Sequence, residues 1–99
     1  MKTINTKTEL LNFKGDPIKN GPDDTLKVGV VLSTILGGKV SNPTLGWTLG
    51  KKFATEDEVD LKAEDVVFLK KELENNGKSE QGFTAVVTGQ IIEMLDSKS

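Results

Sequence analysis

The chain has no cysteine, no histidine, no arginine and no tyrosine. Each absence removes a class of chemistry. Without cysteine the chain can form no disulfide, thiolate nucleophile or cysteine-ligated zinc site. Without histidine it lacks the usual metal ligand and the one side chain that titrates near neutrality unaided. Catalytic triads, Cys-His dyads and two-histidine zinc motifs therefore cannot be assembled within it. All thirteen basic residues are lysine. Lysine offers a point charge where arginine offers a bidentate fork to guanine or phosphate. With a net charge of −2 and no long run of lysine, nucleic-acid binding is disfavoured.

Aromatics are scarce as well, with four Phe and one Trp. Residues classed as hydrophobic make up 35% of the chain. A core must come from spaced Leu, Ile and Val. A chain of 99 residues supports one domain and buries roughly 60% or slightly more of its unfolded surface. Long apolar runs are also lacking. The longest, Val28 to Leu36, is broken by Gly29, Ser33 and Thr34, and is too short to span a bilayer. No apolar run follows Lys2, so the start does not read as a signal peptide. These features suggest a cytoplasmic protein with no membrane partner and no cofactor.

The residues that remain define a sequence of elements. Residues 1–7 are polar and read as a disordered N-terminus, residues 8–96 as one globular domain, and residues 97–99 as a disordered tail. Leu10-Leu11-Asn12-Phe13 enters the turn Gly15-Asp16-Pro17, and residues 9–19 read as a small hairpin closed by Asn20-Gly21. Asp24 or Thr25 can cap a helix from about Leu26 to Leu36. Val28, Val31, Leu32 and Ile35 fall on one face of it, and Gly37-Gly38 stops it. Asn42-Pro43 opens a second helix with Leu45, Leu49 and Phe53 on one face. Gly46 and Gly50 lie on another face, where a second backbone can approach closely. Val59 and Leu61 alternate around Asp60 as a short strand, which is expected to pair with Leu10–Phe13. Glu64 and Asp65 open a third helix with Val66, Phe68, Leu69 and Leu73, ended by Asn75-Asn76-Gly77. A fourth runs from about Phe83 to Leu95, with Val87, Ile91 and Met94 inward. No repeat of fixed period is visible. The sum is an α+β domain with about four short helices on a two- or three-stranded antiparallel sheet.

Candidate chemistry is thin. The acidic stretch from Glu56 to Asp60 lies between two helices, in the order of an EF-hand: helix, loop, strand, helix. In that register Asp65 takes the last ligand position. Ala54 then falls where the first carboxylate belongs, and Val59 falls where the bending glycine belongs. A solvated acidic loop is the simpler reading, with a weak or vestigial calcium module as the alternative. Fifteen acids offer many pairs for carboxylate catalysis, but no spacing singles one out. The string Gly46-Trp47-Thr48-Leu49-Gly50-Lys51-Lys52 lacks the spacing and the Ser or Thr of a phosphate loop. Trp47, Lys51 and Lys52 are the candidate partner contact, because one helical turn separates Trp47 from Lys51. In a chain this poor in aromatics, burial of Trp47 in the core is the favoured expectation.

Several of these pieces together resemble a family of small proteins of tailed bacteriophages and prophages. In that family a short strand and a D-G-x-x-[IV] turn lead to a [LI]-T-L-G helix start, then an acidic strand and an acid-capped helix. The matching pieces are Leu11-Asn12-Phe13, Gly15-Asp16-Pro17-Ile18, Thr25-Leu26-Lys27-Val28-Gly29, Val59-Asp60-Leu61-Lys62-Ala63-Glu64-Asp65 and Ile91-Ile92-Glu93-Met94-Leu95. Leu45 to Phe53 departs from the pattern. The resemblance implies a phage setting in a host bacterial cell and transfers no functional residue. The expectation is a non-enzymatic accessory protein that binds another protein, or a second copy of itself. A nucleic-acid accessory protein is a further alternative.

Overall fold

The computed structural model describes residues 2–79 and 82–96. The tail 97–99 and Met1 lie outside the described residues. The order is β1 (Lys2–Asn5), α1 (Val28–Leu36), α2 (Pro43–Thr55), β2 (Glu58–Leu61), α3 (Ala63–Lys78) and α4 (Ala85–Asp96). The described residues make a small α+β fold with four helices and a two-stranded antiparallel sheet. α1 packs chiefly on α2, and α3 on α4. Leu10, Val28, Leu32, Leu61, Leu69, Leu73 and Ile91 meet in the core with essentially no exposure. Each such side chain stabilises the fold by about 1.5–3 kcal/mol.

Two expectations at the N-terminus are corrected. Lys2–Asn5 is a strand, not a disordered segment, and it takes the place beside β2 expected for Leu10–Phe13. Ile4 pairs with Val59, and Lys2 with Leu61. The strand carries a single apolar residue, so its own sequence is a weak signal. Its order comes from Ile4, 5% exposed, packing into a core built by residues far along the chain. Thr6 then locks the strand's exit. Its amide donates to the Asp57 carbonyl at 2.8 Å, and its hydroxyl donates to the Glu56 carbonyl at 2.7 Å.

Residues 9–27 form a hairpin plus a third arm. The backbone bonds close a ring: Leu10 N–H donates to Leu26 O (2.8 Å), Leu26 N–H to Ile18 O (2.8 Å), and Ile18 N–H to Leu10 O (2.9 Å). Bridges flank the ring at Leu11 with Pro17, Lys19 with Thr25, and Glu9 with Lys27. Asn12 and Asn20 each donate a backbone N–H to an Asp four residues on, Asp16 and Asp24. An eight-residue repeat, Leu10-x-Asn12…Asp16 then Ile18-x-Asn20…Asp24 then Leu26, thus underlies the segment. The period is too short and the turns too unlike in sequence for it to stand out from composition. Gly15 (φ +89°) and Gly21 (φ +123°) supply the left-handed turn geometry. Gln90 of α4 grips the arm, accepting from Leu11 N–H at 3.0 Å and donating to Leu11 O at 2.8 Å.

The same ring explains why α1 starts at Val28, two residues later than expected, and why neither Asp24 nor Thr25 caps it. Leu26 is committed to the ring through both its N–H and its C=O. The first helical amides find backbone acceptors instead: Val28 N–H donates to Thr8 O and Gly29 N–H to Thr6 O, each at 3.0 Å. Asp24 turns to Thr25 N–H (2.9 Å) and to the Lys27 ammonium (3.0 Å). That ammonium holds the Asp24 carboxyl below the ordinary carboxylate range, helped by the Thr25 amide.

The other helix starts follow local rules. Asn42 Oδ1 accepts from Leu45 N–H at 3.1 Å, with Pro43 in the first turn, as a capping residue and its proline should. Asp65 Oδ2 accepts from Lys62 N–H at 3.0 Å and fixes the start of α3. α3 runs past Asn75-Asn76-Gly77 to Lys78 before stopping. α4 begins at Ala85, two residues after the expected Phe83, and Thr84 O accepts the amides of Val87 and Thr88.

Candidate docking surface and cleft

Trp47 projects from α2 and is 68% exposed. This corrects the expectation that it fills the core. The face made by Leu45, Leu49 and Phe53 already turns inward. A side chain two positions after Leu45 is carried roughly 200° around the helix, away from that face. The Lys51 ammonium sits 5.1 Å from the centroid of the indole ring, a cation–π contact one turn along the helix. Lys52 is also exposed, but five residues on from Trp47 it lies roughly 140° around the helix. The structure thus brings Lys51 against Trp47 and leaves Lys52 on a different part of the helix surface.

The floor next to Trp47 is unusually bare. A Cβ on Gly46 would come within 2.8 Å of Val40 Cγ2 and 3.1 Å of Leu36 O. A Cβ on Gly50 would meet Leu36 Cβ at 3.4 Å. The two glycines therefore let α2 lie close against the end of α1, as their spacing suggested. They also leave a shallow, mainly apolar groove of 230 Å³ with Trp47 and Lys51 on its rim and Ser33, Leu36 and Ala54 in its walls. Ser33 and Ala54 also line a neighbouring hollow that reaches Val30, 44% exposed, and Lys7. Sequence reasoning did not single out Val30, although it stands off the face made by Val28, Val31, Leu32 and Ile35. It read Phe13 as a strand residue, whereas Phe13 is 91% exposed at the hairpin tip. Its place in the turn between Asn12 and Gly15 was the available signal.

The acids from Glu56 to Asp60 are spread over separate tasks. Asp57 pairs with Lys7 at 3.3 Å across the surface. Asp60 accepts from the Thr3 hydroxyl at 2.6 Å, a cross-strand pair that fastens β2 to β1. Val59, at the position where an EF-hand bends on glycine, is 1% exposed and packed in the core. Among the described residues no three Asp or Glu converge as a metal-binding group. Among them, too, no helix is long and apolar enough to cross a membrane.

A second concavity lies where the end of α1, the second half of α3 and the approach to α4 meet. It is a cleft of 570 Å³ lined by Gly38, Lys39, Glu72, Asn75, Asn76 and Phe83 among others. Glu72 is 5% exposed. Its Oε1 accepts from the Ser41 hydroxyl at 2.6 Å and from the Ser41 amide at 3.2 Å. Burial of an ionisable side chain on α3 was not foreseen, because Glu72 reads as a polar residue between Leu69 and Leu73. It shares their face by helical spacing, and that was the usable signal. Asn76, one turn along α3 from Glu72, accepts from Phe83 N–H through its Oδ1 at 2.7 Å and ties Phe83 to the helix.

Comparison with known proteins finds no match, whether to a protein-family model, a curated protein or a solved structure.

Proposed function

We propose that this is a non-catalytic accessory protein of phage or prophage setting that acts by docking another protein on its α1–α2 face. The observation that carries this reading is the exposed Trp47 with Lys51 against its ring, set beside an apolar groove. Tryptophan supplies large contact area at small entropic cost and is the residue most enriched where interface energy concentrates. Lys51 selects an acidic partner surface, and the groove accepts an apolar side chain from it. The absence of histidine and cysteine from the chain supports docking over catalysis.

A photo-crosslinker placed at Trp47, with the exposed Val67 on α3 as the control position, tests the reading in host cells. The expected product is one protein captured from Trp47 and not from Val67. The purified pair should then lose about tenfold or more in affinity with Trp47→Ala, a loss of ~1.4 kcal/mol or more. Equal affinity of the wild type and Trp47→Ala overturns the proposal. So does a turnover that survives purification and disappears when one carboxylate is changed.

A further inference from the structure

The cleft beside Glu72 shares no lining residue with the groove beside Trp47, so it stands apart from the docking reading. Its volume of 570 Å³ lies within the range of small-molecule sites, roughly 300–1,000 Å³. Its polar groups are of two opposite kinds. The Glu72 carboxylate is withdrawn from solvent and held in place by Ser41 through two hydrogen bonds to one oxygen. A carboxylate has about four acceptor directions, so those bonds leave it capacity for a further donor. Lys39 carries the opposite charge on the cleft lining and is exposed. The carboxamide residues Asn75 and Asn76 and the ring of Phe83 complete the set. Asn76 is already fixed through its bond from Phe83 N–H.

From this we infer that the cleft is a binding site for a small zwitterion, a molecule bearing a primary ammonium and an anionic group. The ammonium is taken by Glu72, with the Phe83 ring as an apolar and π-rich neighbour. The anionic end is taken by Lys39. Gly38, with no side chain, adds no bulk to the lining. A buried acid held by a neighbouring loop also serves the fold by tying Ser41 to α3. The binding role is separable from that one, because Glu72→Gln keeps an oxygen for Ser41 and removes the charge.

The test is amide-resolved NMR titration of the full chain with glycine, L-alanine, L-serine and 4-aminobutyrate as zwitterionic probes. Ethylamine and acetate are the single-charge controls. The expected result is saturable movement of the Lys39, Glu72 and Asn75 amides at millimolar concentration by at least one zwitterion, with both controls weaker. Glu72→Gln and Lys39→Met should each weaken that binding about tenfold. Lys39 is exposed, so its variant keeps the test decisive if Glu72→Gln fails to fold. No movement by any probe at millimolar concentration overturns the inference. Binding unchanged in Lys39→Met, or ethylamine binding as tightly as the zwitterions, does the same.

Discussion

Gly29 sits at the crossing of three segments, and Gly29→Ala tests the geometry of that crossing. A Cβ there would stand 2.7 Å from Phe53 O and 2.8 Å from Thr6 Cβ, with Thr6 O at 3.1 Å. Two of these neighbours are backbone atoms, which cannot swing aside as a flexible side chain can. Overpacking of this kind costs about 1–3 kcal/mol. Moving the helix to relieve it strains the 3.0 Å bond from Gly29 N–H to Thr6 O, at roughly 0.5–1.5 kcal/mol. Against this stands a gain of about 0.4–1 kcal/mol from the stiffer unfolded chain. The net is a destabilisation of about 2 kcal/mol. In a domain of this size that lowers Tm by about 8–16 °C. Gly89→Ala is the matched control, because a Cβ there meets nothing within 4 Å on an exposed part of α4. It should raise stability by about 0.5–1 kcal/mol through helix propensity alone. Thermal melts of the three proteins by circular dichroism decide the matter. A Gly29→Ala protein that melts at or above the wild-type temperature refutes the close approach of Thr6, α1 and α2 described above.

Other outcomes follow from single contacts. Asn42→Ala removes the cap on Leu45 N–H and should cost about 1 kcal/mol in urea unfolding, with the m-value unchanged. Ser41→Ala deletes the 2.6 Å hydroxyl bond to buried Glu72 and should cost about 1.5–3 kcal/mol, measured the same way. The Asp24 carboxyl should titrate below the ordinary carboxylate value by carbon-detected NMR, and Lys27→Met should return it upward. The sign of the linkage follows: a carboxyl depressed in the folded state adds stability above its unfolded pKa, and that increment is lost as the pH falls through the folded value. The increment is small, because the pair lies on the surface and is screened.

How much of this was legible in advance depends on how local each cause was. Asn42-Pro43, the acids after Lys62 and the spacing of Leu45, Leu49 and Phe53 act within one or two turns, and the helices they announce are present. The candidate contact was half legible. The spacing of Trp47 and Lys51 implied contact along a helix, whereas the exposure of Trp47 depended on which face of α2 met α1. Scarcity of aromatics argued for burial, and that argument lost because Leu49, Phe53 and the two glycines already occupy the packed side. Glu72 was missed for the converse reason: its spacing placed it inward while its charge argued outward.

Residue type and spacing alone therefore determined an α+β fold with about four helices, the number found among the described residues, and that the chain holds no imidazole or thiol to react with. Both follow from causes that act within a few residues or from simple composition. Only the tertiary structure decided that Lys2–Asn5 is ordered against β2, and that Leu10, Ile18 and Leu26 close a ring. It also decided that Gly29 must lack a side chain. Each of these depends on atoms brought together from distant parts of the chain, whose free energy of contact exists only once the core between them has formed.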